Sequence, residues 1–451
     1  VVILLTYKIY EVNSYEAIWE LPPNLTDEQN LIENRFVALK CGCLAVWAKV
    51  KKDLPAGRDE QSMGLSKTVL DALKITEGWS LGVRCVSKGQ FRLGPIIGLL
   101  TPLRVMAKGD FKYYTPYARK MNGKGLLFVF GAGDIDRKRK TITGYLYNNN
   151  NKTWDLGEFP YPDAVIDRTY PNNYEAHRLL EKVIGQNKIF NKKNLINKLD
   201  FFNALDKDSF LRSFIPKTKL FLETSELEHF LKKYGRVFLK PLNGMQGRGI
   251  VYVIPEKNGL RCLYMNGKNL VSKKITHPES ILNVLEQAGK GKRPYVIQAG
   301  VRRMEYRKRP FNFRVMVTKD SLGNWSVPAV FARAAKPGGF LTNNSAGANF
   351  ILLKNLFQHI GDKLPNSKDQ LLDMVADLSI KAATALDKEY GPLGMLGLDI
   401  ILDPAGKPWL IEANGNPGLM TLDTLAEYPA WRNQMYDYPI AYALHLAGFF
   451  L

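Results

Sequence analysis

Gly394-Met-Leu-Gly-Leu-Asp399-Ile-Ile-Leu-Asp-Pro-Ala-Gly406-Lys-Pro-Trp-Leu-Ile-Glu412-Ala-Asn414-Gly-Asn416-Pro-Gly418 reads as two apolar runs joined by a tight turn. Branched residues fill both runs, and Asp403, Pro404 and Gly406 supply the turn, so the stretch predicts a β-hairpin. Each run carries one carboxylate where an apolar residue is expected, Asp399 in the first and Glu412 in the second. Residues two apart on a strand share a face, so Glu412 and Asn414 point together and Asp399 joins them across the pair. Unpaired charge is costly to bury. Two carboxylates and an amide oxygen suit Mg²⁺, which keeps several waters and shares substrate phosphates. The alternative for the two carboxylates is a solvated position on a half-buried hairpin.

A chain of 451 residues exceeds one ordinary core and predicts two to four domains. The composition is that of a globular protein. The formal net charge of +20, from 63 Lys and Arg against 43 Asp and Glu, favours a polyanionic partner without choosing among nucleotide phosphates, acidic polypeptides, nucleic acid and anionic surfaces. Cys41, Cys43, Cys85 and Cys262 show neither metal-finger spacing nor a disulfide framework, so free thiols in a reducing, cytosolic setting are expected. The apolar run 440–451 is too short to span a bilayer and predicts a buried closing helix.

Outward from the hairpin, residues 1–92 alternate in short runs and predict a small β-barrel-like domain. Ser66 is expected to cap a helix that buries Val69, Leu70 and Leu73. That domain shows no catalytic constellation and reads as a recruitment or dimerisation module. Residues 93–197 open with the buried strand behind Gly94-Pro95, followed by strands at 126–130, 142–147, 153–156 and 163–168, an α/β pattern. Thr224 or Ser225 is expected to cap the helix carrying Leu227 and Phe230. Val237-Phe-Leu-Lys240-Pro-Leu-Asn243-Gly244-Met-Gln-Gly247-Arg-Gly249-Ile-Val is strand, glycine-rich loop, strand. Glycines let backbone amides approach phosphate oxygens, and Lys240 adds a point charge. No Gly-Lys-Ser/Thr follows, and a strand rather than a helix comes next, so this is neither a Walker loop nor a dinucleotide fingerprint. Asn312 and Arg314 share a strand face. Arg314 and Arg333 are guanidinium forks suited to phosphate, with ion pairing on a sheet as the alternative. Ser367 opens an amphipathic helix over 367–388.

Asp399 and Glu412-Ala-Asn414-Gly-Asn-Pro-Gly resemble the metal-binding signature of the ATP-grasp ligases, and the upstream matches from about residue 92 are similar to the YheC/YheD-like endospore coat-associated branch. The resemblance implies a mixed α/β fold in which residues 198–297 form the ATP-grasp lid region and 298–451 the catalytic domain, behind an α/β pre-ATP-grasp domain. It implies ATP and Mg²⁺ as cofactors, with the metal on Asp399, Glu412 and Asn414. Lys198 matches a phosphate-binding lysine, although a solvated helix lysine is the plain alternative. Lys240, Asn243, Gly244, Gly247 and Gly249 match the lid. Gln298, Ala299 and Val301 match the hinge that binds adenine, and ribose contact falls to Glu305, because Arg302 stands where an acidic residue is usual. Asn312 likewise replaces the usual Asp. Arg314, Arg333 and Asn343 take the catalytic positions.

The function implied is an ATP-dependent ligase joining a carboxylate to an amine through an acyl-phosphate, cytosolic and associated with the spore. The rival is a non-catalytic nucleotide-binding or structural spore-coat protein. The basic run from Lys290 through Lys292, Arg293, Arg302, Arg303, Arg307, Lys308 and Arg309 further predicts an acidic peptide or protein substrate, with Arg303 and Arg307 touching it and not ATP. Nucleic acid stays open as a partner.

Overall fold

The computed structural model describes residues 5–28, 31–52, 54–170, 173–244, 246–418 and 428–449. Strands β1 (Thr6–Val12), β2 (Ile18–Leu21), β3 (Phe36–Cys41), β4 (Leu44–Lys52), β5 (Ser62–Ser66), β6 (Ser80–Ser87) and β7 (Gln90–Gly94) close into a barrel in the order β1-β5-β2-β4-β3-β7-β6. Alternation puts Tyr7, Ile9, Trp19 and Phe91 inside, with the Trp19 and Phe91 rings 5.4 Å apart. The helix Lys67–Leu73 buries Val69, Leu70 and Leu73 as expected. Its cap differs from expectation. Ser66 precedes the helix without capping it, because its hydroxyl accepts the Ile18 amide at 3.0 Å and ties β5 to β2. The last barrel strand runs to Gly94, two residues past the expected boundary.

A second sheet takes β8 (Ile96–Leu100), β9 (Leu126–Phe130), β10 (Ile135–Asp136), β11 (Thr141–Asn148), β12 (Thr153–Pro160), β13 (Ala164–Asp167) and β14 (Ile189–Phe190). Its centre is parallel, β9-β8-β13-β14. Strands β8 and β9 are buried throughout because both faces are covered. Ile96 and Leu100 pack toward the barrel, while Ile97 and Leu99 pack toward the C-terminal helix Pro429–Ala447. That helix takes the closing role read from the run 440–451 and ends at Ala447, while residues 450 and 451 lie outside the described residues.

The third sheet, in the order β15-β20-β16-β17-β18-β19, is built from β15 (Thr218–Phe221), β16 (Val237–Pro241), β17 (Val251–Glu256), β18 (Gly259–Asn266), β19 (Asn269–Ile275) and β20 (Tyr295–Ala299). Leu227 and Phe230 from the helix Ser225–Tyr234, and Ile281 and Val284 from the helix Ile281–Gly289, pack on its Val237, Val251 and Ile297. Thr224 makes no capping bond with its side chain. Instead Glu226 reaches back to accept the Leu222 amide at 2.8 Å.

The fourth sheet holds β21 (Glu305–Tyr306), β22 (Arg309–Lys319), β23 (Trp325–Ala334), β24 (Asn349–Ile351), β25 (Met395–Leu402) and β26 (Pro408–Asn414), in the order β24-β23-β22-β25-β26 with β21 on β22. The helix Lys368–Tyr390, opened by a Ser367–Gln370 capping box, lays Leu371, Val375, Leu378, Ala382 and Leu386 in the core behind it. Phe201, Phe202 and Leu205 of the helix Lys198–Asp206 enter this same core. Residues from 198 are therefore packed with the last sheet, and the third sheet itself begins at Thr218.

Candidate active site

The predicted hairpin is β25 and β26, with Asp399 directly opposite Glu412. The register then slips, since Ile400 faces Leu410 and Ile411 is left as the extra residue of a β-bulge. The bulge places Ile411 and Glu412 side by side on the borders of two cavities.

The larger cavity, about 530 Å³, lies between the second, third and fourth sheets. Lys198, Asn243, Gly244, Arg314, Arg333, Asn343, Glu412 and Asn414 all line it. Lys198 is buried, and its ammonium donates to the Gly244 carbonyl at 3.0 Å, so the solvated alternative does not hold. Asn197 caps that helix by accepting the Asp200 amide at 2.8 Å, which fixes where Lys198 starts. Arg104 and Tyr170 complete the wall from the C-terminal ends of β8 and β13, where open α/β sheets present ligands. Arg168, just past the end of β13, donates to the Pro417 carbonyl at 3.0 Å and secures the chain leaving β26.

The second cavity is an apolar slot between the third and fourth sheets. Phe238, Ile250, Ala299, Val301, Phe340, Ile401 and Ile411 form its apolar walls, with Lys240, Gln298, Arg303, Asn343, Asp399 and Glu412 among its polar members. Gln298 is fixed by donating to Thr218 Oγ1 at 2.9 Å. Burial pushes Lys240 down to about 7, against the nearby Glu412 carboxylate that favours its charge. Arg303 is likewise pushed down to about 10 by burial, and it donates to the Phe340 carbonyl at 2.9 Å. Its guanidinium carbon lies 5.7 Å from the Phe238 ring centroid.

Asp399 is the most heavily bonded carboxylate of the site. Its Oδ1 accepts from Asn312 Nδ2 at 2.8 Å, Arg314 Nε at 2.9 Å and Arg333 Nη2 at 2.7 Å, while Oδ2 accepts from Arg314 Nη2 at 2.9 Å. An amide at 312 donates to Asp399 where a second carboxylate would repel it. Burial lowers the Arg333 pKa and the Asp399 charge opposes that shift. Both readings of the arginines thus meet: they border the cavity and they are ion-paired. Gly397 makes room for this arrangement, because a Cβ there would stand 2.7 Å from Arg314 Nη1.

Among the described residues no three His, Cys, Asp or Glu side chains cluster, so a metal here would draw on at most two such side chains together with amide, water or phosphate oxygens. The Glu412 carboxylate has no hydrogen bond or ion pair among the described residues, and the residue borders both cavities. Asn414 lines the cavity, its Oδ1 accepting the Asn416 amide at 3.1 Å. With Asp399 Oδ2 carrying a single donor, the oxygen set fits a hard cation that retains water.

Some expectations are redirected. Glu305 is exposed on β21 and borders neither cavity, so it is not placed to touch a ribose. Arg303, assigned to the substrate side, lines the slot instead. Gly247 and Gly249 lie on the outer side of their loop, facing a third cavity. The basic run is dispersed: Arg307 and Lys308 form the left-handed tip between β21 and β22, where the Arg307 amide donates to His359 Nε2 at 3.0 Å. Phe238 was legible, since it stands two residues before Lys240 on one strand face. Ile401, Ile411, Arg104 and Tyr170 carried no local signal.

Among the described residues, no helix is long and apolar enough to cross a membrane. The chain is 28% identical over 343 residues to the endospore coat-associated protein YheD of Bacillus subtilis, covering 72% of this chain and 73% of that one. It is 25% identical over 334 residues to YheC of the same organism, covering 73% and 90%. Among solved structures, the VanG D-Ala:D-Ser ligase of Enterococcus faecalis is similar over 78% of this chain and 99% of its own, at 11% identity and a TM-score of 0.47, too loose a likeness to argue from. The family model described as YheC/D like ATP-grasp matches residues 186–446, more than half of the chain, which therefore belongs to the YheC/D-like ATP-grasp family.

Proposed function

We propose that this protein is an ATP-dependent carboxylate–amine ligase that works through an acyl-phosphate on an acidic peptide or protein. The observation that carries the reading is Glu412, an unpaired carboxylate at the meeting of an apolar slot holding Lys240 and a polar cleft holding Arg314 and Arg333. A flat base fits between Phe238, Ile250, Ile401 and Ile411, and the phosphates then run past Lys240 and Lys198 under the 243–249 loop. Mg²⁺, when bound at Glu412, Asn414 and Asp399 Oδ2, supplies charge neutralisation at the phosphates. Arg314 and Arg333, held in place by Asp399, aim guanidinium donors at the charge that develops as a substrate carboxylate oxygen bonds to the γ-phosphorus and ADP leaves. Attack by an amine nitrogen at the acyl carbon then expels phosphate, and the amine proton passes to solvent. No side-chain nucleophile enters this sequence. Asn343 borders both cavities, which supports its assignment to orienting the carboxylate.

The names of the relatives carry an association with the endospore coat, which we extend to this chain. One observation favours the non-catalytic rival: Asp399 is already matched by three donor side chains. The two readings separate on one experiment. Acidic peptides incubated with ATP, Mg²⁺ and hydroxylamine should give a peptide hydroxamate together with ADP; nucleotide binding without ADP release would leave the rival standing and remove the ligase.

A further inference from the structure

The glycine loop has two sides. Its inner side roofs the cleft, whereas its outer side borders a separate cavity of about 540 Å³ framed by the β18–β19 turn, the C-terminal end of the helix Ile281–Gly289 and the loop around Leu341–Ala346. Arg248, Lys268, Lys290 and Arg293 line it, and no Asp or Glu does. All four side chains are exposed, and none has an ion-pair or hydrogen-bond partner among the described residues. Like charges closer than the screening length of about 8–10 Å repel one another, and an anion entering among the four cations relieves that repulsion. The floor is built to be close-packed. Gly247, at φ +72°, leaves 3.0 Å from where a Cβ would be to Asn343 Oδ1, and Gly289 leaves 3.2 Å to Arg293 Nε.

We propose that this outer cavity binds an acidic segment of the polypeptide substrate, at a distance from the carboxylate that reacts. The inference rests on the ligase reading above and adds a docking site to it. Continuity supports a chain-like ligand: Gln246 and Ser345 border both this cavity and the catalytic cleft, and Ser345 Oγ donates to the Gln246 carbonyl at 2.7 Å, so one extended chain passes from one to the other over their edge. Polypeptide is favoured over nucleic acid because no aromatic ring lines the cavity, and single-stranded nucleic acid binding draws on base stacking. Met265, Leu341 and Ala346 instead offer aliphatic contact beside the charges.

The test is an anisotropy titration of the full chain with fluorescein-labelled decaglutamate at about 50 mM salt, with a ten-nucleotide RNA of mixed sequence as the comparison. Lys268→Glu combined with Arg293→Glu should weaken decaglutamate binding by roughly tenfold or more while leaving Mg-ATP affinity unchanged. The pair Lys268→Ala and Lys290→Asn, which keeps a residue tolerant of the left-handed conformation at 290, should weaken it in the same direction and guards against misfolding of the first variant. Decaglutamate that fails to bind, binds the variants as tightly as the parent chain, or binds less tightly than the RNA overturns the proposal. Peptide binding is read without turnover. Failure of the parent chain to bind decaglutamate with hydroxamate formation intact removes the docking surface alone, whereas decaglutamate binding without hydroxamate removes the ligase reading alone.

Discussion

Arg314 on β22 grips Asp399 on the neighbouring β25 through two parallel hydrogen bonds, Nε to Oδ1 and Nη2 to Oδ2, each 2.9 Å long. Arg333 reaches the same Oδ1 from β23 at 2.7 Å, so one carboxylate sets the aim of both guanidinium groups. Replacing Asp399 with Ala leaves two largely buried cations without their partner. We expect a loss of about 3–5 kcal/mol in unfolding free energy, measured by urea denaturation, together with loss of ADP release. A variant as stable as the parent chain would show that the arginines find other partners.

Gly397 tests the same arrangement by steric means. A Cβ at that position would meet Arg314 Nη1 at 2.7 Å, so Gly397→Ala should push the guanidinium off Asp399. Overpacking of this kind costs about 1–3 kcal/mol. The expected result is a fall in turnover comparable to that of Arg314→Ala, with nucleotide affinity much less affected; equal turnover of Gly397→Ala and the parent would show that Arg314 has room to relax.

Glu412→Gln removes the unpaired carboxylate while retaining the size of the side chain. Calorimetry should show that the increment in ATP affinity conferred by Mg²⁺ disappears, while metal-free ATP binds as before or slightly better. In the parent chain, Mg-ATP at about 100 times its dissociation constant should stabilise the fold by ~2.7 kcal/mol. An unchanged metal increment in the variant would remove Glu412 from the metal site.

Lys240 supplies a pH signature. Burial holds it at about 7, well below its ordinary 10.5, so in the free protein it is largely neutral above pH 7 while the unfolded chain keeps it charged. Fold stability from this group therefore rises with pH between about 7 and 10, because the unfolded state binds the extra proton there. Phosphates beside Lys240 favour its charged form, so nucleotide binding at pH 8 should take up a proton. Calorimetry in buffers of differing ionisation enthalpy should detect that uptake, and affinity should fall by roughly tenfold per pH unit at most above pH 7. Lys240→Met should bind more weakly and show neither effect; a parent chain whose affinity is flat from pH 7 to 9 would refute the assignment.

Arg303 lies against Phe238 in the apolar slot, so Arg303→Ala should weaken ATP binding, and Arg307→Ala, at an exposed hairpin tip, should not. Fluorescent-nucleotide titration distinguishes them; equal affinities would return Arg303 to the substrate side.

Local pattern made much of this protein legible. Apolar alternation interrupted by Asp399 and Glu412 identified the hairpin and its facing carboxylates, since a strand pair obliges opposite residues to meet. The buried strands β8 and β9 and the glycine loop between β16 and β17 were equally readable, because each depends on residues adjacent in the chain. The tertiary structure decided what distant segments do to one another. Asp399 looked like a free ligand until β22 and β23 brought Arg314 and Arg333 to it, and the bulge at Ile411 put an unpredicted residue on both cavities. The basic run from 290 to 309 read as one patch, yet it spans a helix end, β20, a connecting segment and the tip between β21 and β22. Arg293 faces the outer cavity, Arg303 enters the slot and Arg307 sits at a tip, because sequence spacing fixes direction only within a single strand or helix.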